Sequence, residues 1–129
     1  MFDNYVFSEG TCRNYVVNGV VEGFEMKTRI TYYRGVPCSM IHCIEVEVDG
    51  EKVDESQIRF SPNQEDFFTV NELTTLPTYK WEYGEEAIVR VKKQGGLDDG
   101  EHEVTLTTGI RTAYIPVPLI GTKKRKVKI

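Results

Sequence analysis

The stretch Gly23-Phe24-Glu25-Met26-Lys27-Thr28-Arg29-Ile30-Thr31-Tyr32-Tyr33 alternates between two kinds of side chain. One set is apolar or β-branched (Phe24, Met26, Thr28, Ile30 and Tyr32), and the other is mostly charged or polar (Glu25, Lys27, Arg29, Thr31 and Tyr33). Because successive side chains of a β-strand point to opposite faces, this alternation predicts a strand with one face in a core and one in water.

The strand runs into a break, Tyr32-Tyr33-Arg34-Gly35-Val36-Pro37, that carries two aromatic rings and a cation. If the alternation continues into the break, Tyr32 points towards the core, and Tyr33 points outwards together with Arg34. For Tyr32, packing in the core is therefore the alternative to a contact role. Tyrosine and arginine are enriched at binding hot spots because each combines contact area with a directed polar group. We therefore predict that this break contacts another protein chain or its substrate, through Tyr32, Tyr33, Arg34, Gly35 and Pro37.

A second candidate contact lies in Tyr114-Ile115-Pro116-Val117-Pro118. Two prolines spaced by one residue cannot sit in a central strand, because each lacks an amide donor. The segment is therefore predicted at an edge, with Tyr114 and Pro116 as contact residues.

Shorter β-prone segments lie on both sides of the opening strand, and turn signals separate them. The segments are Asn4–Phe7, Thr11–Val17, Ile44–Val48, Ile58–Phe60, Ala87–Val91 and Val104–Ile110. Asn18-Gly19 and Asp49-Gly50 are hairpin signals, because these residue types accept a positive φ. Roughly seven to nine short strands with regular turns predict an all-β fold, an antiparallel β-sandwich of the immunoglobulin or fibronectin type. One short helical turn is expected within Thr69–Pro77, capped by Asn71.

The composition is that of an ordinary soluble domain, with 129 residues, 40% hydrophobic and 28% charged. One domain over residues 1–129 is expected. No apolar run approaches the roughly 20 residues of a membrane-spanning helix, and the N-terminus lacks signal-peptide character, so a cytoplasmic location is expected. Net charge is −4, yet five positive charges fall in the last seven residues, at positions 123–126 and 128. This basic tail (119–129) is interpreted as a solvated end or a charged edge strand, and not as a nucleic-acid site, because the rest of the chain is acidic.

Residues that could carry chemistry are sparse. Cys12, Cys38 and Cys43 lack the paired spacing of a zinc site, and they are interpreted as reduced thiols. His42 and Cys43 are strand neighbours and point to opposite faces, so they cannot share a proton. Glu101 and Glu103 are likewise strand neighbours of His102, so they point to the opposite face and cannot share a proton with it. We therefore predict no catalytic residue and no metal site in this chain.

Several segments together resemble the small β subunit of bacterial C-glycoside deglycosidases. They are Gly23–Pro37, Val48–Glu51, Ile58–Phe60, Trp81–Glu85, Gly95–Leu97, Gly100–Val104 and Tyr114–Pro118. The Tyr-Tyr-Arg-Gly segment at 32–35 and the Trp-Glu-Tyr-Gly-Glu segment at 81–85 are the most specific. Thr31, Cys38 and the pair His42-Cys43 depart from the family pattern beside the break, so they bear on substrate choice more than on membership.

The resemblance implies a hetero-oligomeric complex, in which this chain is a non-catalytic but structurally required subunit of a carbon–carbon lyase. The partner would be a TIM-barrel α subunit similar to sugar isomerases and epimerases, carrying a divalent metal (Mn²⁺) and the catalytic base. The implied substrates are 3-oxo-C-glycosides, such as those of flavonoids. Their ketone acidifies the C2 proton, so that β-elimination can expel the aglycone from C1, with the metal as Lewis acid.

Two other function classes remain open from the residues alone. A stand-alone carbohydrate-binding or adaptor sandwich would stack exposed aromatics such as Trp81 and Tyr83 on sugar rings. An enzyme complete in itself would need activity from this chain without a partner.

Overall fold

The computed structural model describes residues 3–30, 35–76, 79–82, 85–112 and 115–129, the side chains of residues 3, 4, 112 and 115 excepted. The strands within these ranges are β1 (Arg13–Val17), β2 (Val20–Thr28), β3 (Val36–Pro37), β4 (Ile41–Val48), β5 (Glu51–Lys52), β6 (Ile58–Ser61), β7 (Phe68–Thr69), β8 (Lys80–Trp81), β9 (Ala87–Lys92), β10 (Glu101–Thr112) and β11 (Ile115–Lys128). The helices are α1 (Asp3–Val6) and α2 (Val70–Leu73), with 3-10 turns at Cys38–Met40 and Glu55–Gln57.

Two antiparallel sheets and a short ribbon make up the fold. One sheet has the order β1-β2-β9-β6-β7, the second has the order β11-β10-β4-β5, and β3 pairs with β8. The inward residues of both sheets are buried in a common core, among them Phe24, Met26, Phe60, Val89, Ile44, Val46, Val104, Leu106 and Ile110. The all-β sandwich is confirmed.

The two hairpin signals are confirmed by the backbone. Asn18 and Gly19 have φ of 52° and 81° between β1 and β2, and Asp49 and Gly50 have φ of 50° and 86° between β4 and β5. Positive φ at both central residues matches the right-handed twist of the strands that they join.

The opening strand is shorter than its alternation predicts. β2 ends at Thr28, and the next backbone amide, that of Arg29, donates to the carbonyl of Tyr5 at 2.7 Å. The N-terminal segment thus takes over the hydrogen bonding of the chain at this point, while Ile30 is still buried. Residues 31–34 lie outside the described ranges.

The prediction of a strand at Asn4–Phe7 is wrong, because the chain forms α1 over Asp3–Val6. Val6 and Phe7 are adjacent and both fully buried, whereas a strand would turn one of them away from the core. A helical turn leading out at Phe7 allows both side chains to enter the same core.

The short helical turn is present, but its N-cap is Thr69 and not Asn71. The hydroxyl of Thr69 accepts from the amide of Glu72 at 3.1 Å, and the carboxylate of Glu72 accepts from the amide of Thr69 at 2.8 Å. This reciprocal pair is a capping box, which satisfies two amides, whereas Asn71 as a cap would satisfy one.

The basic tail is part of an edge strand. β11 pairs with β10 from Lys128↔Glu101 to Ile115↔Thr112, and no other described strand pairs with its far edge. Pro116 and Pro118 are therefore at an edge, as expected. Among the described residues, no helix has the length and apolar character needed to cross a membrane.

Candidate interaction surface

The β3–β8 ribbon joins the two most specific sequence motifs. Val36 pairs with Trp81 and Pro37 with Lys80, and the amide of Cys38 donates to the carbonyl of Tyr79 at 2.7 Å. As a result, Gly35 of the first motif and Glu82 of the second lie side by side although more than 40 positions separate them in sequence.

Gly35 is required by this close approach. A Cβ atom at position 35 would lie 2.8 Å from the carbonyl oxygen of Trp81 and 3.1 Å from both Cα and Oε2 of Glu82. The exposed backbone of Gly35 therefore packs directly on the neighbouring strand end. Any side chain here would push the two motifs apart.

The side chain of Trp81 holds the β3–β8 ribbon against the core. Its ring is fully buried and meets Phe60 edge-on, with the ring centroids 5.1 Å apart and an interplanar angle of 67°. Its Nε1 atom is buried and has no hydrogen-bond partner among the described residues. The idea that Trp81 stacks on a sugar from the surface is wrong, because a buried ring offers no face to a ligand. Tyr83 lies outside the described residues.

The second predicted contact segment lies at the same end of the four-stranded sheet. The 3-10 turn Cys38–Met40 carries the chain from Pro37 to Ile41, which pairs with Ile110 near the end of β10. The β10–β11 connection, with exposed Pro116 just beyond it, follows at once.

Of the seven predicted contact residues, three are described: Gly35 and Pro116, which are exposed, and Pro37, which is half-buried. Tyr32, Tyr33, Arg34 and Tyr114 lie outside the described residues, so their contact roles remain predictions. The surface around Gly35, Pro37, Glu82 and Pro116 is called the motif end below.

An ion-pair network on the outer face of the five-stranded sheet was not predicted. The Nε atom of Arg90 donates to Oε1 of Glu25 at 2.8 Å, and Arg13 donates to Oε2 at 3.4 Å. The Arg90 guanidinium lies between two rings, 4.4 Å from the centroid of Tyr15 and 4.1 Å from that of Phe67. Glu25 is only 3% exposed, so its assignment to water is wrong. The charge pair Glu25↔Arg90 depends on the β2–β9 register, and the two strands are far apart in sequence.

The thiols are poor candidates for nucleophiles. Burial, followed by the nearby Glu25 carboxylate, raises the pKa of Cys12 to about 12, and burial raises the pKa of Cys38 to about 11. Burial raises the pKa of Cys43 as well, and the carboxylates of Glu45 and Glu55 add to the rise. A thiol is reactive as its thiolate, and each of these shifts favours the thiol.

His102 links two turns and does not bond to the adjacent glutamates. Its Nδ1 atom lies 2.8 Å from Oδ2 of Asp49 and its Nε2 atom lies 2.8 Å from the carbonyl oxygen of Asp98. Both partners are acceptors, so both hydrogen bonds form when the imidazole is protonated. These two acceptors, the Asp49 carboxylate first, raise the pKa of His102. The arrangement connects the β4–β5 turn with the loop before β10.

Within the described ranges, no group of three His, Cys, Asp or Glu side chains could hold a metal ion. The assignment of a metal to a partner subunit rests on the resemblance alone and remains a prediction.

A small antiparallel sandwich whose most specific motifs meet at one end suits a subunit that acts through contacts with another chain. The family model described as C-glycoside deglycosidase beta subunit matches residues 2–114. This chain belongs to the C-glycoside deglycosidase beta subunit family, as the resemblance predicted.

Individual relatives agree with the family match. A C-glycoside deglycosidase beta subunit of Eubacterium cellulosolvens is 33% identical over 103 residues, which cover 80% of this chain and 69% of the relative. A 3'-dehydrocarminate deglycosidase beta subunit of a Microbacterium species is 32% identical over 95 residues, 74% of this chain and 70% of the relative. A C-glycoside deglycosidase beta subunit of Microbacterium trichothecenolyticum is 32% identical over 124 residues, 94% and 85% of the two chains.

Proposed function

We propose that this chain is the small subunit of a complex that cleaves the carbon–carbon glycosidic bond of 3-oxo-C-glycosides. The observation that carries the proposal is the family match over residues 2–114. The relatives' names support it, because they describe beta subunits and two of them specify C-glycosides. The third relative, named for 3'-dehydrocarminate, agrees with a substrate that has been oxidised beforehand.

The reaction is a β-elimination, and its chemistry explains the need for a 3-oxo substrate. A ketone at C3 makes the C2 proton acidic enough for a positioned base. The electron pair left on C2 forms a double bond to C1 as the bond from C1 to the aglycone breaks, and the aglycone carbon takes up a proton. No water is consumed, so the complex is a lyase.

The base and a divalent metal are assigned to a larger TIM-barrel subunit. When bound there, the metal would supply Lewis acidity towards the ketone oxygen. The described residues of this chain include no group of three ligands for it, and the thiols of Cys12 and Cys38, whose pKa is raised, do not offer a base. The role of this chain in the proposal is to dock at the motif end and to shape the mouth of the partner's site.

Co-expression tests the proposal. The partner to be tested is a TIM-barrel protein similar to sugar isomerases and epimerases from the same source, and the substrate is a 3-oxo-C-glucosyl flavone. We expect the two chains to co-purify and aglycone release to require both. Activity of the isolated chain would contradict the assignment of the base, and failure of the wild-type chains to associate would contradict the proposal as a whole.

The contact role of the break is tested with Tyr33→Ala and Arg34→Ala. We expect either variant to weaken co-purification or to slow deglycosylation, because both remove hot-spot residue types. If both steps stay at wild-type levels, the assignment of residues 32–37 is wrong while the subunit role stands. Lys92→Ala, an exposed change on β9, is the control and should leave both readouts unchanged.

A further inference from the structure

The outer face of the four-stranded sheet is divided into a charged part and a part without carboxylates. The charged part extends along the sheet from the pair Lys128↔Glu101 to Glu45, which lies opposite Thr107. Its charged residues are Glu45, Glu47, Lys52, Glu101, Glu103, Lys124, Lys126 and Lys128. Lys52 lies 3.3 Å from Glu45, and Lys124 lies 4.0 Å from Glu103. The charges end at Thr107 and Thr122, whose hydroxyls are 3.0 Å apart.

Beyond the threonines, Gly109 pairs with Ile120 on one side and with Cys43 on the other. A Cβ atom at position 109 would meet Sγ of Cys43 at 2.9 Å, Cγ1 of Ile120 at 3.2 Å and Cβ of His42 at 3.5 Å. Because Gly109 has no side chain, the side chains of Cys43, Ile120 and His42 can pack over its backbone. Ile120 is 58% exposed, so the result is an apolar surface open to solvent. We call His42, Cys43, Gly109 and Ile120 the Ile120 patch. The expectation that His42 and Cys43 point to opposite faces is wrong, because the β4–β10 register shifts between Gly109 and Ile110 and both side chains lie beside Gly109.

A cation borders this patch. The Nε atom of Arg111 donates to Nδ1 of His42 at 3.2 Å, and both side chains are exposed. The complementary surface is therefore an apolar side chain accompanied by a carboxylate. Charge-depleted centres with arginine and aromatic or apolar residues are the composition of protein interface cores.

The Ile120 patch lies between the two predicted contact segments. His42 follows the turn that leaves Pro37, and Arg111 is the second-last residue of β10, before the connection that leads to Pro116. A partner that covers both segments of the motif end would also cover the patch.

We propose that the Ile120 patch is part of the docking surface for the larger subunit, an inference that rests on the proposed function. The partner presents an apolar side chain to Ile120 and Cys43 and a carboxylate to Arg111. A second copy of this chain is a poorer occupant, because a two-fold interface sets the same patch against itself and would bring two Arg111 cations together without a carboxylate in the patch.

The experiment compares Ile120→Glu with Val20→Glu in co-purification with the TIM-barrel partner. Val20 is 59% exposed, as Ile120 is 58% exposed, but it lies at the β1–β2 hairpin of the other sheet. A carboxylate at position 120 would sit in the apolar centre, so we expect the dissociation constant to rise about tenfold or more. Val20→Glu is expected to bind as the wild type does. Equal circular dichroism spectra and melting temperatures of the variants establish that the fold is retained.

Hydrogen exchange on the wild-type chain gives an independent readout. On complex formation, amides of residues 40–44 and 108–121 are expected to gain protection, and those of the β1–β2 hairpin are not. If the wild type binds the partner and Ile120→Glu binds it equally well, the assignment of the patch is wrong and the proposed function stands. If the wild type does not bind, the proposed function is wrong. A concentration-dependent dimer of the isolated chain that Ile120→Glu abolishes would overturn the partner in favour of a second copy.

Discussion

The Glu25 carboxylate is held between two guanidinium groups, on a face of the sheet that would otherwise meet water. Arg90 contributes the shorter bond, and its own side chain is 30% exposed between Tyr15 and Phe67. Planar guanidinium groups stack on aromatic rings and still donate within their plane. This network ties β1, β2, β9 and the loop before β7 to one another.

Glu25→Gln is expected to lower the free energy of unfolding by about 1–3 kcal/mol, because it leaves Arg90 without its charged partner while solvent still screens the arginine. Urea denaturation measures the change. Glu45→Gln is the control, since its ion pair with Lys52 is exposed and should contribute within about 0.5 kcal/mol. Equal effects of the two variants would contradict the special role of Glu25.

His102 makes folding stability depend on pH. Its pKa is raised in the folded protein, so its contribution is fully present below the unfolded pKa of about 6.5 and is lost as pH rises through the higher folded value. The pKa of Asp49 is lowered, chiefly by the hydrogen bond from His102 and then by the amide of Glu103, so its contribution is lost in acid. The pair therefore stabilises most between these two limits.

We expect the melting temperature of the wild type to exceed that of His102→Gln near pH 6, and the difference to shrink as pH rises towards 8.5. Asp49→Asn should reduce the same pH dependence, because it removes the first cause of the raised pKa. Thermal unfolding at several pH values measures both. A difference that is constant across this range would show that His102 contributes by packing and not by its charge.

At the scale of elements, β4 and β10 are the strands that alternation predicts best. Alternation directs Ile44, Val46 and Val48 of β4 and Val104, Leu106, Thr108 and Ile110 of β10 inwards; all of them are buried except Val48, which is half-buried at the end of β4. Both strands lie inside the four-stranded sheet with one face on the core, which is the environment that produces a period of two. α1 and β3 could not be predicted in this way, because an element of four residues or fewer is too short to show a periodic pattern.

β11 is an element whose charges oppose association. Its lysines at positions 124, 126 and 128 are exposed along a strand whose outer edge pairs with no other described strand, and charged side chains there discourage pairing with another chain.

Replacing Lys124, Lys126 and Lys128 with threonine changes the net charge from −4 to −7, because three positive charges are removed. Although more net charge ordinarily favours solubility, we expect faster association, measured by light scattering, because the edge loses its charges and gains β-branched residues. The control is the same replacement at three other exposed lysines, Lys80, Lys92 and Lys93. It gives the same net charge of −7 but does not change this edge, so the protein should stay monodisperse. Equal behaviour of the two triples would contradict the edge explanation.

At the scale of the whole molecule, the fold brings together residues that no short window of sequence relates. The two specific motifs meet through a ribbon of two residue pairs, and Gly35 is the residue that allows this approach. The outer face of the four-stranded sheet acquires its division into charged and apolar parts only when β4, β10 and β11 are aligned.

The amino-acid sequence by itself determined the fold class, the two hairpin turns, the edge position of the Pro-x-Pro segment and the family. These properties depend on local alternation, on φ preferences and on motif content, which short stretches carry. The tertiary structure decided that Trp81 is buried, that Glu25 pairs with Arg90, that Thr69 caps α2 and that Ile120 closes over Gly109. The physical reason is that burial and charge pairing depend on strand register and on loops that cross a face, and these are set by the packing of the whole chain.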